Sequence, residues 1–180
     1  WDDCSFTEKS KSVLVVGVVF RGGKFIDGML STRIKKDGMD ATEKISQAIL
    51  KSRHYDQLSY VMLDGITFAG FNLVDVKMLY KKTNLPVLVI QRKHPNMKKF
   101  LAAMKIFQDY RKRYAIVKRA GRLFKFSADK KVIYYQRSGL GKNEAESILA
   151  LTCIRANVPE PIRVAHIIAS GLGGESHGRA

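Results

Sequence analysis

LSYVMLDGITFAGFNLVDVKMLYKKTNLPVLVIQRK (58–93) sets the architecture of this chain. Within it, LSYVMLD (58–64) is a short apolar strand bounded by Gly65, NLVDVKMLYKKT (72–83) reads as a helix, and PVLVIQRK (86–93) reads as a second strand. Strands that are apolar without alternation are covered on both faces, and two of them joined through a helix imply parallel pairing with a right-handed crossover. Upstream, SVLVVGVVFR (12–21) and KFIDGMLSTRI (24–34), separated by Gly22-Gly23, read as a hairpin. A first strand ending at Asp2-Asp3 completes an antiparallel three-stranded unit. The fold class that follows is α/β, a mixed sheet flanked by helices. Asp2 or Asp3 and Asp64 would lie at the carboxyl ends of neighbouring strands, where clefts of open α/β sheets form.

The remaining segments fill in the helices. Asp40 precedes ATEKISQAILKSR with Glu43 three residues on, the arrangement of a capping box, and Ile45, Ala48 and Ile49 give that helix its apolar face. After Pro95, NMKKFLAAMKIFQDYRKRY reads as one helix. Its stripe of Met97, Phe100, Leu101, Met104 and Phe107 is core packing, with Lys98, Lys99, Lys105 and Lys112 on the opposite face. Tyr114 to Tyr135 reads as strand, Asn143 starts a helix, and a last helix runs from Pro159-Glu160-Pro161 to Gly171 before a Gly-rich tail expected to be mobile. Neither a repeat nor a linker divides residues 1–180, which reads as a single domain. The chain opens at Trp1 without Met, so a few residues including the start of a strand are expected to precede it.

Composition narrows the function classes. Hydrophobic residues make up 46%, enough for a packed core, so the net charge of +16 is not that of a disordered polycation. The basic residues are densest from Arg92 to Lys142, which makes nucleic acid the leading partner, ahead of an anionic membrane surface. Cys4 and Cys153 lie too far apart to form a metal-type pair and suit a reducing, cytoplasmic compartment. No apolar run reaches transmembrane length.

Against that basic background, isolated carboxylates at strand ends suit a hard cation. Mg²⁺ takes oxygen ligands and is held by one or two protein carboxylates plus substrate phosphate. The candidates are Asp2, Asp3, Asp37 and Asp64. Taken singly, Asp64-Gly65 reads equally as site or turn, Asp37-Gly38 slightly more as turn, and Asp40 as a helix cap. Gly65, Gly70, Asn72 and Phe68, between a strand and a helix, offer backbone N–H groups for phosphate or simply a tight connection. Arg92, Lys93 and His94 follow a buried strand toward the same cleft, and phosphate contact is expected of at least one. Lys98 extends that basic edge. Arg163 and His166 share a helix face and read as packing, with Arg163 pairing a carboxylate, and Glu160 is explained by the helix dipole. Phe124, Phe126, Tyr134 and Tyr135 interleave with Arg122, Lys125, Lys130 and Lys131. The phenylalanines read as core, while the tyrosines suit either core or base stacking. No Ser-His-Asp set is evident, and Ser138 is not a nucleophile.

The segments WDDCSF, VVGVVFRGG, FIDGMLST, DGMDATEKI, MLDGITFAGFN, PVLVIQRK and VPEPIRVAH…GGESHGRA resemble an uncharacterised archaeal family described as endonuclease V-like, over nearly the whole chain. Through it the chain resembles endonuclease V, whose ribonuclease H-like fold is therefore implied. By that resemblance a catalytic Asp at the end of the first strand falls on Asp2, with Asp3 second, an acidic residue before a helix on Asp37, and an Asp-Gly after the next strand on Asp64-Gly65. A catalytic Lys falls on Arg92 or Lys93, and the Pro-Glu-Pro…Arg…Ala-His pattern on Pro159, Glu160, Pro161, Arg163, Ala165 and His166. The resemblance implies a Mg²⁺-dependent (or Mn²⁺-dependent) nuclease. Phe25-Ile26-Asp27-Gly28 stands where endonuclease V carries a Tyr-x-Pro-Gly wedge, and Asp37 replaces a Glu. The alternatives are a non-catalytic nucleic-acid-binding protein on the same fold and, below it, a basic adaptor for an anionic complex.

Overall fold

The computed structural model describes residues 1–128 and 131–173. Strands β1 (Asp2–Asp3), β2 (Ser12–Arg21) and β3 (Phe25–Lys35) form an antiparallel sheet in the order β1-β2-β3. Strands β4 (Val61–Asp64), β7 (Val87–Gln91), β8 (Phe124–Ala128) and β9 (Lys131–Ser138) form a mixed sheet in the order β4-β7-β9-β8, and β5 (Thr67–Phe68) and β6 (Asn72–Leu73) make a small ribbon. β4 and β7 are parallel and β9 is antiparallel to β7. Trp1 joins the two larger sheets. Its backbone N donates to Met62 O at 2.8 Å, and Asp64 N donates to Trp1 O at 3.0 Å, the bond pattern of a parallel neighbour. The Trp1 indole packs against Gly17, where a Cβ would come within 2.5 Å of the ring.

β7 explains its own composition. Val87 and Val89 face one core, with Ile45, Ile49, Val76, Leu79 and Met104, while Leu88 and Ile90 face the other, with Ile133, Tyr135, Leu149 and Ile162. Both faces are therefore buried, which is why the run shows no polar alternation. Helices α1 (Ala41–Leu50), α2 (Val76–Thr83), α3 (Met97–Met104) and α4 (Tyr110–Arg119) contribute to the first core, and α5 (Lys142–Thr152) and α6 (Glu160–Gly171) to the second.

Local readings change where distant partners intervene. The expected capping box does not form. Asp40 makes no side-chain cap bond. Instead its Oδ1 accepts from Asn72 Nδ2 at 2.6 Å and from Lys35 N at 3.1 Å, while Glu43 bonds Gln47 and pairs with Lys82. The α2 helix starts later than periodicity suggests, because Asn72-Leu73 pairs with Thr67-Phe68 and Asp75 caps the helix at Met78 N. The segment after Pro95 is two helices. Between them Phe107 turns its ring onto Phe71 (5.3 Å) and beneath the Arg113 guanidinium (4.3 Å). Tyr114–Arg119 is helix rather than strand, supported by the Tyr110–Tyr114 stack and by Lys118 over Tyr114. Tyr135 is fully buried, Phe124 and Phe126 pack against the same core, and Tyr134 meets His94 edge-on. Lys130, the Lys131 side chain and the tail from Gly174 lie outside the described residues. Among those described, no helix is long and apolar enough to cross a membrane, and both cysteines are free.

Arg113 holds the connections together. Only 3% exposed, it donates to Asp109 Oδ1 at 2.6 Å and to the carbonyls of Asp37 (2.8 Å), Gly38 (3.2 Å) and Phe71. Removing the guanidinium leaves buried carbonyls and a carboxylate without donors, a loss worth about 3–5 kcal/mol. Arg113→Leu is accordingly expected to lower the urea midpoint by that equivalent, whereas replacing the solvent-facing neighbour Lys112 with Leu leaves the midpoint nearly unchanged.

Candidate metal centre and the neighbouring cleft

β1 and β4 end side by side, and this brings Asp2 and Asp64 together. A third group arrives from the far end of the chain, where α6 packs against β1 and β2. His166 Nδ1 lies 2.7 Å from Asp2 Oδ2, and one ligand atom each from Asp2, Asp64 and His166 lie within 4.8 Å of one another. Asp2 is buried, and Asp64 and His166 are half-buried. Arg92, just beyond β7, reaches across to Asp64 Oδ2 at 3.2 Å. Burial pushes the Asp64 carboxyl above the ordinary carboxylate range, reinforced by the negative charge of Asp2 and opposed by Arg92 and His166. Burial likewise raises Asp3 to about 6, with Asp2 and Asp64 adding to the effect and the Ala69 N–H opposing it.

Asp3 and Asp37 stand outside this group and share a different task. Asp3 Oδ2 accepts from Ala69 N at 2.6 Å, and Asp37 Oδ1 accepts from Phe71 N at 2.8 Å, so the two carboxylates grip one loop from opposite ends. Asp37 also donates its own N–H to Ala69 O at 2.9 Å and adopts φ of +53°. Between the gripped residues Gly70 has φ of +86°, and a Cβ there would fall 2.3 Å from Asp37 Oδ1. Only glycine fits that position.

Beside Asp64 opens a cavity of about 490 Å³ lined by Gly65, Arg92, Lys93 and His94 among others. Lys98 is exposed on α3 nearby. Asn72 does not reach the cleft. It is fully buried, accepts from Ala41 N at 2.9 Å and donates to Lys35 O at 2.8 Å, so its expected substrate contact is corrected to a structural role.

The family model described as endonuclease dU matches residues 1–173. The chain belongs to the endonuclease dU family. UPF0215 proteins of Methanosarcina barkeri and Methanothermobacter thermautotrophicus are 51% and 46% identical to it, over 95% and 99% of this chain and 89% of each relative. A crystal structure of a protein of unknown function from Archaeoglobus fulgidus superposes with TM-score 0.88 at 38% identity, covering 98% of this chain and 96% of that one. Endonuclease V of Ciona intestinalis, solved with a 24mer DNA containing an inosine, superposes with TM-score 0.58 at 14% identity over 91% of this chain and 80% of the other. That likeness establishes the ribonuclease H-like mixed sheet.

In this member of the endonuclease dU family, the helix pattern around His166 reads as packing. The signal was present in the Pro-Glu-Pro…Ala-His ending. Arg163, read as pairing a carboxylate, does so with Glu160 at 2.7 Å, but His166 one turn on faces Asp2 rather than the core.

The raised Asp3 carboxyl has a stability consequence. A carboxyl whose folded pKa of about 6 exceeds its unfolded value of 3.8 favours the folded state below 3.8, and that contribution is lost as pH rises through 6. Asp3→Asn keeps an acceptor for Ala69 N–H without the charge. In EDTA it is expected to melt higher than wild type at pH 7.5, by about 2–4 °C per kcal/mol regained. The gap should close at pH 4.

Proposed function

We propose that the protein is a divalent-metal-dependent endonuclease that hydrolyses a phosphodiester bond of nucleic acid. The observation that carries this reading is the convergence of Asp2, Asp64 and His166 within 4.8 Å on a chain of net charge +16. Two carboxylates and an imidazole form a donor set that suits Mn²⁺ as well as Mg²⁺, so Asp2, Asp64 and His166 would hold the cation. A bound ion of this kind polarises the phosphoryl oxygen and lowers the pKa of its water.

The chain's own residues supply the rest. Asp2 orients His166 through the bond to Nδ1. Arg92 and Lys93 line the cleft next to Asp64 and can neutralise a phosphate entering it. Asp3 and Asp37 keep the 69–71 loop in place and so shape one wall without touching the reacting atoms. The family description names deoxyuridine, and the Ciona neighbour was solved with inosine-containing DNA. Both favour a strand carrying a deaminated base, and the free cysteines suit the cytoplasm.

A second reading, a protein that binds nucleic acid without cutting, is favoured by one contact: the Arg92 guanidinium already occupies an oxygen of Asp64. The two readings separate on labelled single- and double-stranded DNA and RNA, plain or carrying uracil or inosine, with Mg²⁺ or Mn²⁺. Cutting is expected at uracil-containing DNA. Asp64→Asn and His166→Ala should each slow it by about 100-fold or more, the scale at which metal-site losses act, with affinity in EDTA unchanged. Wild-type protein that cuts none of these strands yet binds them, with affinity falling steeply in salt, supports the second reading.

A further inference from the structure

The cavity beside Asp64 holds a polar group that the fold itself does not use. Its walls are largely apolar, with Ile66, Phe100, Val117 and Leu123 among them, while Asp64 and Arg92 line it on the side of the carboxylates. Gln136, paired with Val89 across β9 and β7, is 7% exposed and lines the same cavity. Its Nε2 donates to Gly121 O at 3.0 Å, which fixes the amide's orientation. Its Oε1 is buried and, among the described residues, accepts no hydrogen bond. Arg137 Nε is the other such atom, but its guanidinium lies over Phe124 and bonds Leu140 O. A buried acceptor without a donor destabilises a folded protein, so one kept on a residue that lines a cavity calls for an explanation.

The occupant must bring apolar faces and an N–H in its plane. A phosphodiester carries no donor for Gln136 Oε1, and it would meet Arg92 and Lys93 at the Asp64 side of the cavity rather than the apolar wall. A nucleobase has two apolar faces and a polar edge, and enzymes acting beside a base draw it out of the stack into such a pocket. We propose that this cavity receives one unstacked base of the substrate strand and that a small shift of the Gln136 side chain uncovers its buried Oε1 to accept the hydrogen bond from that base's ring N–H. Deamination changes the ring atom concerned. N3 of cytosine and N1 of adenine are bare acceptors that would face the amide oxygen lone pair to lone pair, whereas uracil and hypoxanthine carry N–H there. Gln136 therefore serves as a specificity-determining residue that separates uracil and hypoxanthine from their parents cytosine and adenine, while guanine, like hypoxanthine, offers it a ring N–H. It does not separate uracil from thymine, which differ in a methyl group meeting the apolar wall. The assignment rests on the nuclease reading only in placing the base next to the scissile phosphate.

The test is a fluorescence-anisotropy titration in EDTA, where cutting plays no part. The probes are single-stranded oligonucleotides carrying one central deoxyuridine, N3-methyldeoxyuridine or deoxycytidine. Wild type is expected to bind the deoxyuridine strand about tenfold more tightly than either of the others, the effect of one hydrogen bond. Gln136→Leu should erase that preference while melting close to wild type, because losing the unpaired acceptor offsets losing the bond to Gly121 O. Equal affinities in wild type, or a preference that survives in Gln136→Leu, overturn the proposal. If the binding order holds but Mg²⁺ and Mn²⁺ elicit no cutting, the nuclease reading fails while the base pocket stands. Cutting without the binding order removes the pocket alone.

Discussion

Two backbone hydrogen bonds, from Trp1 to Met62 and from Asp64 to Trp1, fix where the carboxylates meet. They lay the first strand alongside β4 as a parallel neighbour, so Asp2 and Asp64 finish at the same level of the sheet. Without them the molecule would be an antiparallel hairpin unit beside a separate mixed sheet. The arrangement has a cost: burial raises the Asp64 and Asp3 carboxyls, and repulsion from the neighbouring carboxylates adds to it. Arg92 and His166 offset part of that repulsion at Asp64. A divalent cation would offset more, which connects the strain of the site to its proposed use.

The second level of organisation keeps the walls still. Arg113 gathers three carbonyls from the 37–38 turn and the 69–71 loop, and Asp3 and Asp37 hold that loop's N–H groups from the other side. Asn72 and Asp40 tie the same loop to the start of α1. Arg113 and Asn72 are buried and Asp3, Asp37 and Asp40 half-buried, and all are hydrogen-bonded, so they rigidify the rim. The cavity beside Asp64 is different in kind: largely apolar away from Asp64, Arg92 and Lys93, and lined by Gln136, whose amide oxygen is unpaired among the described residues.

Much of this was legible in the sequence wherever local pattern and burial agree. The unbroken apolar run of β7 announced a strand buried on both faces, and Gly22-Gly23 announced the hairpin. Asp-Gly at the end of an apolar strand announced a polar strand end. What stayed hidden depended on partners far along the chain. His166 meets Asp2 across 164 positions, and nothing in a helix's own periodicity says which strand end it will face. Asp40 carried every local mark of a cap, yet Asn72, 32 positions away, claimed its oxygen. The break between α3 and α4 has no Pro or Gly to signal it, because Phe107 and Arg113 impose it through Phe71. Gln136 sat in a strand read as aromatic and basic, and its unpaired oxygen became visible only once Gly121 had taken its nitrogen.

The central claim, that Asp2 and Asp64 together hold a divalent cation, is tested most directly by Mn²⁺ binding followed by electron paramagnetic resonance at neutral pH. Wild type should bind one ion per chain, with affinity falling about tenfold or more in Asp2→Asn and again in the Asp2→Asn, Asp64→Asn double variant. Unchanged Mn²⁺ binding in the double variant, or no binding by the folded wild type, would contradict the account.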